Sequence, residues 1–268
     1  MTKVPLTDGL RSEYRQLFET CVVRPGHQPE IDAAVAKMIA NKARYVSLGA
    51  ATGVPWTLIA VLHELECGQR FDRHLHNGDP LTAKTVQVPP NRPPGNPPWT
   101  WEVSATDALT IEGWPRWTDW SLAGTLYKLE GYNGFGYRKF HPSVRSPYLW
   151  SYSNHYTSGK YKGDGVFSAT LVSKQPGTAV LLRRLAEKGE TTFTDQPAPD
   201  PALPPLVVAY AATKPSDPAT ISKAIVLQTW LTTHTGVFVK PDGWAGQKTS
   251  DAYKQVTGHY LPGDPRGT

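Results

Sequence analysis

Residues 57–81 read TLIAVLHELECGQRFDRHLHNGDPL, and the fold turns on this stretch. Leu58, Val61, Leu62 and Leu65 recur at helical spacing, so its first half is a helix with a core face. Pro55 suits the first turn, where a missing N–H costs nothing, and Gly53 opens the turn before it. Gly68 stands where a helix ends in the left-handed conformation. Glu66 therefore falls in the last turn, seven residues after Ile59 and close to its face. There the negative end of the helix dipole and apolar neighbours both favour the protonated carboxyl. A carboxyl that stays protonated near neutrality is what a general acid for a glycosidic oxygen needs. Position alone fits Glu66 and Glu64 equally well as solvated helix-end residues. A polar loop follows, broken by Gly78, with Asp79 in an Asn-Gly-Asp-Pro turn thirteen residues after Glu66. Asp79 is either the partner carboxylate of a two-acid site or a turn-former bonding its own backbone, and Asp72 is a weaker alternative.

Glu66-Cys67-Gly68 after an Ile/Val/Leu-rich helix resembles the Glu-Ser-Gly signature of lysozyme-like enzymes, the superfamily of goose-type lysozymes and soluble lytic transglycosylases. The run from His74 to Leu81, and then Val88 to Pro93, resembles lysozyme-like muramidases of phage and bacterial genomes. Glu130-Gly131-Tyr132-Asn133-Gly134-Phe135-Gly136-Tyr137 resembles the Tyr-Asn-Gly loop that lines the sugar groove in these enzymes. Ser146-Pro147-Tyr148-Leu149-Trp150-Ser151-Tyr152-Ser153-Asn154 continues the likeness, which spans about residues 14–184. Cys67 departs from the pattern, removing a hydroxyl beside the acid. The resemblance implies a mainly α (α+β lysozyme-like) catalytic domain with Glu66 as general acid. Goose-type lysozymes place an aspartate in the region of Asp79, which would position water or stabilise developing positive charge. Tyr132, Asn133, Tyr137, Tyr152 and Asn154 become the glycan-holding residues. Neither a cofactor nor a metal is implied.

The chain of 268 residues has room for one large domain and one small one. Residues 8–21 and 29–50 read as helices, the second with Pro and Glu in its opening turn. Residues 88–98 are too rich in proline for helix or central strand and read as a surface loop beside the groove. Ser104 with Asp107 reads as a capping box, 118–130 as a helix stopped by Gly131, and 178–188 as the helix that closes the large domain. The expected division is a catalytic domain over 1–190, a Pro/Ala-rich linker over 191–219 and a small helical bundle over 220–268. In the last, Ile225, Leu227-Gln228, Leu231, Asp242-Gly243, Gly246, Thr249 and Ala252 resemble the helical peptidoglycan-binding repeat. Asp242-Gly243 is a turn dipeptide, and Thr249 lies where a cap for the second helix belongs.

A net charge of +5 suggests attraction to a polyanion, but no basic run or basic-aromatic array points to nucleic acid. No apolar run is long enough to span a bilayer, and the first residues lack the apolar core of a signal peptide. The expectation is a monomer made in the cytoplasm without a signal, acting afterwards in the periplasm on the glycan strands of peptidoglycan. Fused to a wall-binding module, that fits a phage endolysin released through holin pores, and also a bacterial autolysin or injected effector. Trp99, Trp101, Trp114, Trp117 and Trp120 crowd one segment, as stacking faces for sugar or as core. Cys21 and Cys67 are either one bridge or two thiols.

Other chemistries are weaker. His63 and Cys67 miss the paired histidines of a zinc-protease helix, and His74 with His76 are loop histidines two apart. Cys67 as a thiol nucleophile is disfavoured by its place at a helix C-terminus. The sequence thus points to an N-acetylmuramidase that hydrolyses the β-1,4 bond between N-acetylmuramic acid and N-acetylglucosamine. A lytic transglycosylase leaving 1,6-anhydro ends is the nearest alternative. A catalytically inactive wall-binding or virion protein is the other.

Overall fold

Thr7 caps the first helix, α1 (Asp8–Glu19), by accepting the Leu10 amide at 3.2 Å, and Leu10, Tyr14 and Phe18 bury its inner face. The computed structural model describes residues 4–163, 165–191, 193 and 208–267. Its contacts divide the chain into two units, Met1–Leu185 and Ala186–Thr268. After α1 come α2 (Gln28–Ala40), α3 (Lys42–Thr52), α4 (Trp56–Cys67), α5 (Trp101–Ile111) and α6 (Leu122–Tyr132). Two short helices, α7 (Gly136–Phe140) and α8 (Pro147–Trp150), precede a hairpin of β1 (Lys160–Gly163) and β2 (Val166–Ser168). The helix α9 (Thr178–Glu187) runs into the unit boundary. The protein is mainly helical, and this antiparallel hairpin is the only sheet among the described residues. Its register pairs Lys160 with Ser168 and Tyr161 with Phe167, with an irregularity before Gly163.

The helix carrying Glu66 is not half-exposed, as a single core face predicts, but buried nearly all round. Residues from Thr57 to His63, and Leu65, are all buried, which makes α4 the centre of the unit with α2, α3 and α6 against it. It begins one residue after Pro55, whose carbonyl receives the Leu58 and Ile59 amides. It ends at Gly68 in the left-handed conformation (φ +60°), as the sequence predicts. Lys37 Nζ bonds the Gly68 carbonyl at 2.8 Å, a cation on the negative end of the helix.

Several boundaries differ from the expected ones. The helix expected over 29–50 is two, broken at Asn41, which sits off helical geometry and turns its side chain back on the Lys37 carbonyl at 2.9 Å. The α5 helix starts at Trp101 under a Thr100 cap, not at Ser104. The α6 helix starts at Leu122 under Ser121, later than expected, and continues through Gly131 to Tyr132. Gly124 is there because a Cβ would come within 2.1 Å of the Asp119 carbonyl. Cys21 and Cys67 are not bridged. No single helix among the described residues is long and apolar enough to cross a membrane.

The second unit pairs α10 (Pro218–Thr232) with α11 (Gln247–Thr257). Ala224, Leu227, Leu231, Val237, Val239, Ala245, Ala252 and Leu261 form its core, while Ile225 is exposed. Gln228 is buried at the joint: its amide nitrogen donates to Asp242 Oδ1, the Trp244 carbonyl and Thr249 Oγ1, and its oxygen accepts from the Gly243 amide. Thr249 is therefore a buried partner of Gln228, inside α11 rather than its cap. Of the expected linker, residues 192 and 194–207 lie outside the described residues. Its C-terminal end is not a linker, because Val208 is in the core and Tyr210 and Ala211 bond Pro262 and Ala245.

Candidate active site

The C-terminal end of α4, α7, α8 and the hairpin surround an open groove of about 1180 Å³. Leu65, Asn133, Tyr137, Phe140, Tyr148 and Tyr161 are among its walls. Tyr137 and Tyr161 meet edge to face, and the Tyr161 amide donates to the Tyr137 hydroxyl at 3.2 Å. Gln175, also on the wall, donates from its side-chain amide to the Leu65 carbonyl at 3.1 Å. That bond satisfies a carbonyl in the last turn of α4, one of the groups a helix leaves without a partner.

Glu66 is half-buried and reaches the groove through Tyr148, whose hydroxyl donates to Glu66 Oε1 at 2.9 Å. Burial pushes the Glu66 carboxyl up to about 7, and the Tyr148 hydrogen bond opposes that only in part. Burial also raises the Tyr148 phenol well above its ordinary value, with the Glu66 charge adding to it, so Tyr148 stays a donor. Tyr132 bonds the Leu75 carbonyl at 3.1 Å, and its phenol is raised by burial and then by Glu66.

Asp79 is brought to the same end of α4 by Gly78. A Cβ on Gly78 would come within 2.8 Å of the Glu66 carbonyl, and the backbone there is left-handed (φ +78°). Asp79 is a turn-former, as one of its two sequence readings has it. Asp79 Oδ2 accepts from Asn77 Nδ2 at 3.0 Å and from the Val86 and Gln87 amides at 2.9 and 3.4 Å. Burial works to raise this carboxyl, but the amide donors of Val86, Gln87 and Asn77 outweigh it and the net shift is downward. The Glu66 carboxyl is thus pushed toward the acid form and that of Asp79 toward the anion, and Asp79, turned to Asn77, Val86 and Gln87, is not among the residues lining the groove. Asp72, the weaker alternative, lies in an exposed ion pair with Arg70 at 2.9 Å. Glu64 accepts from Gln69 at 2.7 Å, which separates its role from that of Glu66.

Asn133 and Tyr137 line the groove, but Tyr132, Tyr152 and Asn154 do not, although Tyr132 is near enough to Glu66 for that charge to raise its phenol. Tyr152 lines a separate cavity of about 530 Å³, stacked on His27 at 3.7 Å and bonded to the Lys174 carbonyl at 2.7 Å. Asn154 ties its loop to the end of α1, accepting from the Val22 amide and donating to the Thr20 carbonyl. The tryptophan-rich segment also goes elsewhere: Trp101 and Trp114 are core residues, and none of the five lines the groove.

The loop histidines are structural. His74 Nδ1 meets Ser104 Oγ at 2.7 Å while its Nε2 faces the Ala83 carbonyl at 2.8 Å. His76 Nε2 meets Asp107 Oδ2 at 2.9 Å, and Arg92 also bonds Asp107. Ser104 and Asp107, read in sequence as a capping box, are instead the α5 side of this polar knot. No group of three or more metal-ligating side chains occurs among the described residues. Burial pushes the Cys67 thiol up to about 12, with Glu66 adding to it, and its Sγ donates to the His63 carbonyl. His63 itself faces the Tyr45 hydroxyl and the Arg70 carbonyl, so no thiolate–imidazole pair forms.

Tyr148 and Gln175 are the groove residues that motif reading passes over. Tyr148 sits inside a quoted likeness, but only the fold aims it at Glu66. Gln175 lies beyond any motif. Set against known protein families, curated proteins and solved structures, the chain matches none of them.

Proposed function

We propose that this protein is a peptidoglycan N-acetylmuramidase with a lysozyme-like catalytic unit, cutting the β-1,4 bond on the reducing side of N-acetylmuramic acid. The observation that carries the proposal is the Glu66 carboxyl, pushed up to about 7 by burial and hydrogen-bonded to Tyr148 on the wall of the aromatic groove. Glu66 protonates the leaving glycosidic oxygen, and Tyr148 fixes which carboxyl oxygen faces the bond. Asp79, ionised and anchored through Oδ2, has Oδ1 to orient a water or to stabilise oxocarbenium-like charge. Tyr132, Asn133 and Tyr137 hold the glycan. The small helical unit with the Gln228 joint supplies a wall-binding module, and an endolysin role in host lysis accounts for the combination.

One observation favours a second course for the same acid. Asp79 Oδ2 is saturated by three donors, which suits a turn as well as a catalyst. With Asp79 purely structural, Glu66 acts alone as acid and then base, and the muramyl 6-hydroxyl closes a 1,6-anhydro ring. Mass spectrometry of muropeptides released from purified Gram-negative peptidoglycan separates the two, by reducing muramic ends or by anhydro ends. The Glu66→Gln protein is expected to lose at least about a thousandfold in rate while still binding walls. Wall clearance by that variant at the wild-type rate would falsify the assignment of the acid.

A further inference from the structure

The groove has a charge as well as a shape. Lys139, Lys160, Lys162 and His141 stand on its walls, and no described Asp or Glu does. Elsewhere the first unit pairs its cations closely: Arg11 with Asp119, Arg44 with Glu102, Arg92 with Asp107, Arg138 with Glu130 and Glu13, Arg184 with Asp32. Those pairs are all made by arginines; Lys160 and Lys162 differ in standing together on the groove wall with no ion pair to a described carboxylate. They are two positions apart on β1, beside Tyr161 and the hairpin glycines Gly163 and Gly165. Like charges held together repel, and a cleft with low-dielectric aromatic walls concentrates their field toward whatever enters it. A neutral sugar chain offers such a cluster hydrogen-bond acceptors but no countercharge.

Resting on the muramidase reading, we infer that Lys160 and Lys162 form an anion subsite for carboxylates carried by the muramyl residues of the strand. Two sources have this chemistry: the stem peptide, and the lactyl group left when that peptide is removed. N-acetylglucosamine polymers have neither, so the subsite makes the groove selective for muramyl glycan over chitin-like chains. Lysine suits this use, because its flexible point charge follows carboxylates whose spacing varies along a peptide.

The test uses the full-length chain carrying Glu66→Gln, so that ligands are bound and not consumed. Dissociation constants are measured at low and high salt for three soluble glycans. One bears free-acid stem peptides, one has been stripped of peptide by an amidase, and one is chitohexaose. Adding Lys160→Gln with Lys162→Gln is expected to weaken the peptide-bearing glycan about tenfold and flatten its salt dependence, the scale of losing two exposed ion pairs. Lys160→Arg with Lys162→Arg keeps the charge and is expected to restore most of the loss. Loss confined to the peptide-bearing glycan assigns the stem peptide; equal loss on the stripped strand assigns the lactyl group. No loss, or the same loss on chitohexaose, overturns the subsite. Cleavage of sacculi by the protein with Glu66 intact is scored separately. Cleavage with lysine-independent binding sinks the subsite alone, and lysine-dependent binding without cleavage sinks the muramidase reading alone.

Discussion

Glu66 is a residue that the fold supports at its own expense. Its carboxyl ionises near 7 in the folded chain and near 4.5 when exposed, so the native state holds the proton more tightly between those values. Stability from this group is therefore greatest below about 4.5, falls as pH rises to about 7, and stays low above it. Glu66→Gln removes the charge while keeping the shape, and it is expected to stabilise the first unit by about 2–3 kcal/mol at pH 8 and by little at pH 4. Thermal melts at the two pH values check this. Tyr148 adjusts the same proton from the other side. Its hydrogen bond favours the anion, so Tyr148→Phe is expected to move the alkaline limb of the pH–rate profile upward while lowering kcat. At this scale the sequence was informative where chemistry and helix position coincide, as at Glu66. It was silent on Tyr148, because a tyrosine in an apolar run gives no sign of the partner that a distant helix brings to it.

Between residues and molecule stand the helix α4 and the loop behind it. Gly78→Ala is expected to cost about 1–3 kcal/mol and most of the activity, since a Cβ would meet the Glu66 carbonyl in a left-handed turn. Chemical denaturation and a wall-clearing assay on one preparation read both effects. His63, inside α4, gives the element its acid sensitivity. Burial lowers it to about 4 against 6.5 when unfolded, so the unfolded chain takes up the proton first. The stability it contributes is complete above about 6.5 and is lost as pH falls toward 4, by about 2–3 kcal/mol. His63→Gln is expected to flatten that slope in unfolding measured against pH. The hydrophobic period located α4, α1 and α9 well, because each carries apolar residues at regular spacing and a strong stop. It could not find the break at Asn41, where the apolar period continues across both helices and only a side-chain bond to Lys37 interrupts the backbone. Nor could it separate a Ser-x-x-Asp cap from the same residues turned inward against two histidines.

On the scale of the whole molecule, the two units rest on different devices. The second has few core residues and one buried amide at its centre. Gln228→Ala removes the acceptor of the Gly243 amide and one of the two partners that Asp242 Oδ1 and Thr249 Oγ1 each have. It is expected to lower the melting of that unit by about 2–4 kcal/mol of stability, with the pH dependence set by Glu66 and His63 unaltered. Calorimetry with a near-ultraviolet probe tests it. The division into a large helical unit and a small one could be read from proline content and periodicity. The ends of the linker could not, because Val208 looks like any apolar residue in a proline-rich stretch until a core receives it. The polar knot on α5 has a further effect over time. His74 and Gly78 bond within the loop, to Asp79 and His74 carbonyls, and the loop is pinned to Ser104, Asp107 and Tyr132. Their amides are expected to exchange with deuterium as slowly as those of the helices, released only by global opening of the first unit. On the proposed reading, a glycan would meet a surface already set, the cost of ordering it having been met during folding and not at each turnover.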